Sequence, residues 1–119
     1  MKLSLETRRS GDVIIIHCEG RIVYREEAAE LSRVVGEALQ NTREVILEFE
    51  GVDSIDSAGL GVLVLAHMAA EGQGKVVKLS GVMPHVRELL ELTNLNSVFE
   101  MYPGLEEAIE TGDELAPMI

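Results

Sequence analysis

The stretch GVDSIDSAGLGVLVLAHM, residues 51–68, joins a segment of acidic and hydroxyl side chains to a long apolar run. The apolar run predicts a helix that begins at about Ala58. Ser57 stands directly before it, where its hydroxyl oxygen can accept a hydrogen bond from the N–H of residue 59 or 60 and cap the helix. Gly59 and Gly61 keep the first turn almost bare, although glycine inside a helix costs about 1 kcal/mol relative to alanine. The stretch therefore predicts a strand, a polar loop and a helix whose start is open to an approaching molecule.

On both sides of this stretch, strands are predicted to alternate with helices. The chain opens with two short runs of strand type around the turn Ser10, Gly11, Asp12, which indicates a hairpin. Strands separated by helices pair in parallel through right-handed crossovers. The sequence thus predicts an α/β domain with a mixed sheet of about five strands and about four helices. The predicted strands cover residues 3–9, 13–18, 45–49, 75–79 and 97–101, and the predicted helices cover residues 25–40, 58–71, 84–92 and 104–110.

Length and composition predict a single domain with an aliphatic core. The chain has 119 residues, of which 46% are hydrophobic but only 3% aromatic. One core is the expectation for a chain of this length. We assign residues 1–111 to the domain and residues 112–119, which have no periodicity, to a flexible C-terminal tail.

The charge of the chain restricts its partners. Ten Lys and Arg side chains oppose 21 Asp and Glu side chains, for a net charge of −11. This sign disfavours direct binding to nucleic acid or to an anionic membrane, and it favours a basic protein surface. We expect protein partners, with no nucleic acid and no membrane among them.

The cysteine content and the N-terminus indicate a cytoplasmic protein. Cys18, the single cysteine, cannot form an internal disulfide, and its place in the apolar run VIIIHC predicts a buried thiol. The N-terminal segment MKLSLETRRSGD lacks the apolar region of a signal peptide, and no apolar run reaches the roughly 18 residues that span a bilayer.

The polar residues do not form a recognisable catalytic pattern. Asp53 and Asp56 could together hold Mg²⁺, and the three histidines could serve as bases. However, Ser57 lacks the Gly-x-Ser-x-Gly nucleophile motif, and the histidines share no spacing typical of metal ligands. We therefore predict a protein that is not an enzyme and has no metal, no cofactor and no small-molecule substrate. The histidines are His17, His67 and His85.

A phosphoryl group on Ser57 would provide a switch at this site. It would lie at the positive end of the helix, where free N–H groups stabilise an anion. It would also add nearly two negative charges beside Asp53 and Asp56, and a partner packed there would meet repulsion. Ser54, which also follows an aspartate, is the second candidate for the acceptor.

Residues 52–64, VDSIDSAGLGVLV, resemble the signature of the STAS domain, and specifically that of bacterial anti-sigma-factor antagonists. The resemblance extends over nearly the whole chain. It implies a STAS-like fold in which Ser57 is phosphorylated by the partner anti-sigma factor, an ATP-using serine kinase, and is dephosphorylated by a serine phosphatase. The unphosphorylated antagonist would bind the anti-sigma factor and release a sigma factor. The resemblance also implies a partner-binding turn made by Asp56, Ser57, Ala58, Gly59, Leu60 and Gly61.

One position departs from the family pattern. After the second strand the antagonists often have Gly-x-Leu/Ile-Asp, whereas residues 20–23 here are GRIV, with Val23 in place of the acidic residue. The alternative is a STAS scaffold subunit of a lipid-transport or stress-signalling complex that is never phosphorylated.

Overall fold

The computed structural model describes residues 2–115 of the chain and the side chains of residues 2–110. Within these residues, five strands and four helices follow one another along the chain. They are β1 (Ser4–Ser10), β2 (Val13–Ile22), α1 (Tyr24–Asn41), β3 (Glu44–Ile55), α2 (Ser57–Gly72), β4 (Val76–Ser80), α3 (Pro84–Leu92), β5 (Glu100–Tyr102) and α4 (Leu105–Leu115), with a 3₁₀ turn at Leu95–Ser97.

The five strands form one sheet in the order β1-β2-β3-β4-β5. The strands β1 and β2 pair antiparallel as a hairpin, and the other neighbours pair in parallel. One helix joins each parallel strand to the next, and all three crossovers advance in the same direction. Right-handed connections then place α1, α2 and α3 on the same face of the sheet. The predicted α/β domain, with a mixed five-stranded sheet, an opening hairpin and four helices, is confirmed.

The main core lies between this face of the sheet and α1, α2 and α3. Ile14, Ile16 and Cys18 of β2 point into it, whereas Ile15 points to the opposite face, where Ala108 of α4 packs. Burial raises the pKa of the Cys18 thiol to about 12, so the thiol stays protonated and unreactive at neutral pH. The prediction of a buried cysteine in an aliphatic core is therefore confirmed.

The strand β3 continues past its predicted end at Phe49, and the loop predicted after that residue is wrong. β3 pairs with β2 until Ile55 lies beside Ile22, and Val52 is fully buried on the way. Register shifts near Gly20, whose φ is 107°, let β2 follow β3 over this irregular stretch. Residues of turn-forming type are thus held in a strand by their pairing partner, which overrides local preference.

The C-terminal elements also differ from their predicted bounds. β5 is confined to Glu100–Tyr102, because a 3₁₀ turn after the left-handed Asn94 occupies the segment where the strand was expected to begin. α4 continues to Leu115, past its expected end at Glu110. The predicted flexible tail, residues 112–119, overlaps the end of α4 and otherwise lies outside the described residues, so it stays a prediction.

A buried lysine holds α4 on the second face of the sheet, which is the face opposite the main core. Lys78 of β4 is 2% exposed, and its Nζ donates a hydrogen bond of 3.0 Å to the carbonyl oxygen of Ala108 in α4. The same ammonium group lies 3.3 Å from Glu44 Oε2 and 5.4 Å from the centroid of the Tyr102 ring. A buried charge needs such compensation, so this contact holds α4 in addition to its apolar side chains.

Replacing Lys78 by Met keeps the apolar stem of the side chain but leaves the carboxylate of Glu44 without its cation. We expect the free energy of unfolding to fall by about 3 kcal/mol or more, as for the loss of one partner from a buried ion pair. Urea denaturation followed by circular dichroism measures this change. The double variant Lys78→Met/Glu44→Gln should recover part of the loss, and a single variant as stable as the wild type would contradict the role of Lys78.

His17 connects neighbouring strands on the same second face. Its Nδ1 lies 2.5 Å from Glu48 Oε1 of β3, and its Nε2 lies 3.0 Å from Glu19 Oε1 of β2. Glu6 of β1 stands directly opposite His17 in the sheet register. Hydrogen bonds to Glu19 and then to Glu48 raise the pKa of His17 above its ordinary value.

A raised folded-state pKa means that the protonated form of His17 stabilises the fold. This contribution is fully present below the unfolded value of about 6.5 and is lost as the pH rises through the higher folded value. We expect the wild type to lose stability relative to His17→Gln as the pH increases above about 6.5. Urea denaturation at a series of pH values measures the difference between the two chains, and a difference independent of pH would refute the assignment.

Candidate functional site

Asp56, and not Ser57, is the N-cap of α2. Its Oδ1 accepts a hydrogen bond of 3.1 Å from the N–H of Gly59, and its carbonyl oxygen accepts one of 2.9 Å from the N–H of Leu60. The prediction that Ser57 caps the helix is wrong, because the helix begins one residue earlier than expected. Aspartate caps a helix as well as serine does, and the residue nearer the strand end takes the position.

The carboxylate of Asp56 also holds the start of α1. Its Oδ2 accepts a hydrogen bond of 2.9 Å from the N–H of Tyr24, and the N–H of Asp56 donates to the carbonyl oxygen of Ile22 at 3.2 Å. We call the two hydrogen bonds that Tyr24 and Gly59 donate to this carboxylate the Asp56 clamp. The clamp lowers the pKa of Asp56, the bond from Tyr24 having the larger effect and that from Gly59 the next. The carboxylate is therefore charged at neutral pH.

Ser57 is the first residue of α2, and its side chain is exposed. Among the residues that the structure describes, none forms a hydrogen bond with its hydroxyl. Ser54, the second candidate acceptor, is half-buried within β3 and lies beside Arg21 in the register. Of the two serines, Ser57 is the one that offers its oxygen at a helix start.

The two glycines of the first turn have different roles. Gly59 is buried, and a Cβ there would lie 2.5 Å from Ile55 Cγ1 and 2.6 Å from the carbonyl oxygen of Ile22. Gly59 thus lets α2 pack closely on the ends of β2 and β3. Gly61 is exposed, and a Cβ there would meet no atom within 4 Å. Of the two, Gly61 is the one that leaves the outside of the helix bare.

Two exposed apolar side chains lie on the outside of α2, on the same side of the helix as Ser57. Leu65 is 64% exposed and Met68 is 59% exposed, whereas Leu63 on the inner side is fully buried. Residues at this spacing lie on one side of a helix. We call Ser57, Gly61, Leu65 and Met68 the α2 outer face. Ala58 and Leu60 are half-buried beside it, and the partner contacts predicted for Asp56, Ser57, Ala58, Gly59, Leu60 and Gly61 stay a prediction.

Tyr24 belongs to the site, although no sequence motif includes it. Val23 is the N-cap of α1 and makes no side-chain cap, and the carboxylate of Asp56 accepts a hydrogen bond from the N–H of Tyr24, the first residue of that helix. Tyr24 has a φ of 68°, which is rare for a bulky residue, and its side chain is 69% exposed. Helical periodicity gives no signal for this residue, because it lies at the irregular start of α1.

The residues considered for metal or base chemistry lie apart. Asp53 is exposed on β3, whereas Asp56 is occupied by the clamp. His17 lies on the second face of the sheet, His67 contacts the ring of Phe99 with ring centroids 5.5 Å apart, and His85 is exposed on α3. Over residues 2–115 we find no group of three His, Cys, Asp or Glu residues arranged to hold a metal ion. No helix within the same range is long and apolar enough to cross a membrane.

Because the backbone of Tyr24 is left-handed, we expect glycine at this position to stabilise the fold. We expect Tyr24→Gly to raise the free energy of unfolding by up to about 1 kcal/mol, because glycine adopts a positive φ without the steric cost that other residues pay. The ring is largely exposed, so little buried area is lost. Tyr24→Ala is the matched control, since it removes the ring but keeps the Cβ. Chemical denaturation measures both variants, and an equal gain for alanine would show that backbone strain is not the cause.

Comparisons with known proteins agree with this architecture. Residues 4–108 match the STAS domain family. The chain is 32% identical over 110 residues to BtrV of Bordetella bronchiseptica, whose name assigns it provisionally to the anti-sigma factor antagonists, and the alignment covers 91% of each protein.

Solved structures share the same fold. An anti-sigma factor antagonist from Mycobacterium paratuberculosis superposes with a TM-score of 0.82 at 19% identity, over 92% of this chain and 93% of that one. The Bacillus cell fate determinant SpoIIAA in its phosphorylated form gives a TM-score of 0.70 at 20% identity, over 92% of this chain and 98% of that one. The family match over most of the chain and the relative above 30% identity show that this protein belongs to the STAS domain family.

Proposed function

We propose that this protein is an anti-sigma-factor antagonist that acts in the cytoplasm and is switched by phosphorylation of Ser57. The unphosphorylated chain binds an anti-sigma factor that is also an ATP-using serine kinase, and a sigma factor is released. In the kinase reaction, Ser57 Oγ bonds to the γ-phosphorus of ATP, ADP leaves and the hydroxyl proton is lost. A serine phosphatase hydrolyses the phosphate ester and restores binding. The observation that carries the proposal is the exposed Ser57 hydroxyl at one end of the apolar α2 outer face.

The α2 outer face has the properties of a binding surface. Leu65 and Met68 are both more than half exposed and stand in line with Ser57 and Gly61. Apolar side chains at the centre of an interface supply most of its buried area, and Gly61 allows the partner's backbone to come close. The net charge of −11 steers the chain toward a basic surface on the kinase.

A phosphoryl group on Ser57 acts mainly by repulsion. The N–H of Gly59, one of the N–H groups of the first turn that has no partner within the helix, already donates to the carboxylate of Asp56. The positive end of α2 is therefore partly neutralised before any phosphate arrives. Nearly two further negative charges beside a carboxylate disfavour any partner that must remove water from this turn.

Val23 supports a second candidate function. A STAS scaffold subunit of a lipid-transport or stress-signalling complex would bind through the same apolar face without a phosphorylation cycle. Val23 offers no carboxylate at the end of β2, but the start of α1 still receives one, because Asp56 accepts a hydrogen bond from the N–H of Tyr24. This carboxylate belongs to the residue next to the exposed Ser57, so we favour the phosphorylated antagonist.

Phosphorylation is tested by incubating the chain with its cognate anti-sigma-factor serine kinase and ATP. We expect intact-mass measurement to show one added phosphoryl group on the wild type and on Ser54→Ala, and none on Ser57→Ala. A wild type that gains no phosphate, while the kinase phosphorylates another substrate, would leave only the scaffold function.

Binding to the same kinase is measured by calorimetry. We expect Ser57→Asp to weaken the affinity by tenfold or more, which corresponds to about 1.4 kcal/mol. Gln73→Glu is the matched control, because it adds one negative charge at the exposed far end of α2. Equal weakening by both variants, or none by Ser57→Asp, would contradict the charge switch.

Because Asp56 and not Ser57 caps α2, removal of the Ser57 hydroxyl should cost little stability. We expect Ser57→Ala to change the free energy of unfolding by less than about 0.5 kcal/mol, whereas Asp56→Ala should lower it by about 1–2 kcal/mol. Thermal or urea denaturation compares the two chains. A larger loss for Ser57→Ala than for Asp56→Ala would return the capping role to the serine.

A further inference from the structure

The Asp56 clamp joins two helices at the place where Ser57 is exposed. One carboxylate oxygen accepts from the N–H of Gly59 in α2, and the other accepts from the N–H of Tyr24 in α1. The two helix starts are far apart in sequence and meet only because β2 and β3 end together, at Ile22 and Ile55. A change in the charge around the carboxylate therefore acts on both helices.

Tyr24 is the part of α1 that such a change would reach first. Its backbone is left-handed, a conformation that costs about 1–2 kcal/mol for a residue with a Cβ and persists only where surrounding contacts hold it. The bond from its N–H to Asp56 is such a contact. Its ring is 69% exposed and contributes little to the core, so the ring is available to a molecule that docks on the adjacent helix start.

We propose that Asp56 is the positioning residue that transmits the phosphorylation state of Ser57 to Tyr24, so that the anti-sigma factor contacts α1 as well as α2. The inference rests on the proposed function, which supplies the phosphoryl group. In the unphosphorylated chain the clamp holds Tyr24 in its left-handed conformation, with the ring in a fixed position at the start of α1. After phosphorylation the clamp is weakened and the ring loses this fixed position.

The weakening of the clamp follows from repulsion between two neighbouring anions. The phosphoryl group is attached to the residue next to Asp56 and carries three strong acceptor oxygens and nearly two negative charges. The carboxylate is already charged, because the clamp lowers its pKa. Repulsion between the phosphoryl group and the carboxylate weakens the hold of the carboxylate on the N–H of Tyr24, the donor that lies in the other helix.

The test uses the isolated chain, labelled with ¹⁵N and carrying a phosphoryl group on Ser57 that is introduced during synthesis, without any kinase. The amide resonances of Tyr24 and Gly59 are followed by NMR as the pH is varied. We expect the Tyr24 amide to shift with a midpoint near the second ionisation of the phosphoryl group, about pH 6. We also expect its solvent exchange to become about tenfold faster than in the unmodified chain, as for the loss of one hydrogen bond to a charged group.

Two variants distinguish transmission through Asp56 from a direct effect of the phosphate. In the phosphorylated Asp56→Asn chain, which retains a good capping residue, the shift of the Tyr24 amide near pH 6 should be reduced to less than about half. The matched control is phosphorylated Asp53→Asn, which removes an exposed carboxylate of the same segment and should leave the shift unchanged.

Each result decides the inference independently of the proposed function. A Tyr24 amide that does not respond to the phosphoryl group, or that responds equally in Asp56→Asn, would overturn the transmission by Asp56 while kinase binding could stand. A chain that no kinase phosphorylates would overturn the proposed function, whereas the NMR response of the phosphorylated chain would still support the clamp.

Discussion

The parallel pairing of β2 with β3 through to Ile22 and Ile55 is the constraint on which the site depends. It brings the starts of α1 and α2 to one edge of the sheet, where the carboxyl ends of parallel strands commonly carry functional groups. Gly59 then allows α2 to approach so closely that a single methyl group would collide with both strands. Without that approach, one carboxylate could not reach an N–H of each helix.

Because Asp56 caps α2, the hydroxyl of Ser57 is not engaged with a backbone N–H of the helix. A serine that caps a helix has its oxygen engaged with a backbone N–H, and a kinase would have to break that bond first. Here the neighbouring aspartate performs the capping, and the serine occupies the first helical position with its hydroxyl exposed. Because Asp56 already occupies the N–H of Gly59, a phosphoryl group on Ser57 would gain little from the helix start, and its expected effect is repulsion and not added order.

The fold and the position of the serine could be predicted from the sequence, but the details of the clamp could not. The alternation of strands with amphipathic helices and the opening hairpin gave the correct sheet, and the motif around Ser57 gave the family. The end of β3 was misjudged because Val52 and Ile55 lie in a segment of turn-forming composition, and only pairing with a bulged β2 keeps that segment extended. The predicted cap was displaced by one residue because α2 begins at Ser57 and not at Ala58.

Other features of the site depend on contacts distant in sequence. The role of Gly59 in packing becomes visible only when Ile22 is known to lie beneath it. Tyr24 gives no periodic signal, because its importance comes from a backbone bond to a residue in another element. The buried Lys78 has the polarity of a surface residue, and its burial follows from the way α4 returns across the sheet. A sequence pattern reports neighbours along the chain, and these three residues are defined by neighbours in space.

The order of the strands has a consequence for how the protein is made. Because β1 to β5 lie in the sheet in the order of synthesis, each strand can pair with the one that left the ribosome just before it. Such a topology keeps the intervening segments short and reduces the loop entropy lost at each step. The elements that form the clamp end at Gly72, so a nascent chain has all parts of the clamp and of the α2 outer face before β4, α3, β5 and α4 have been translated.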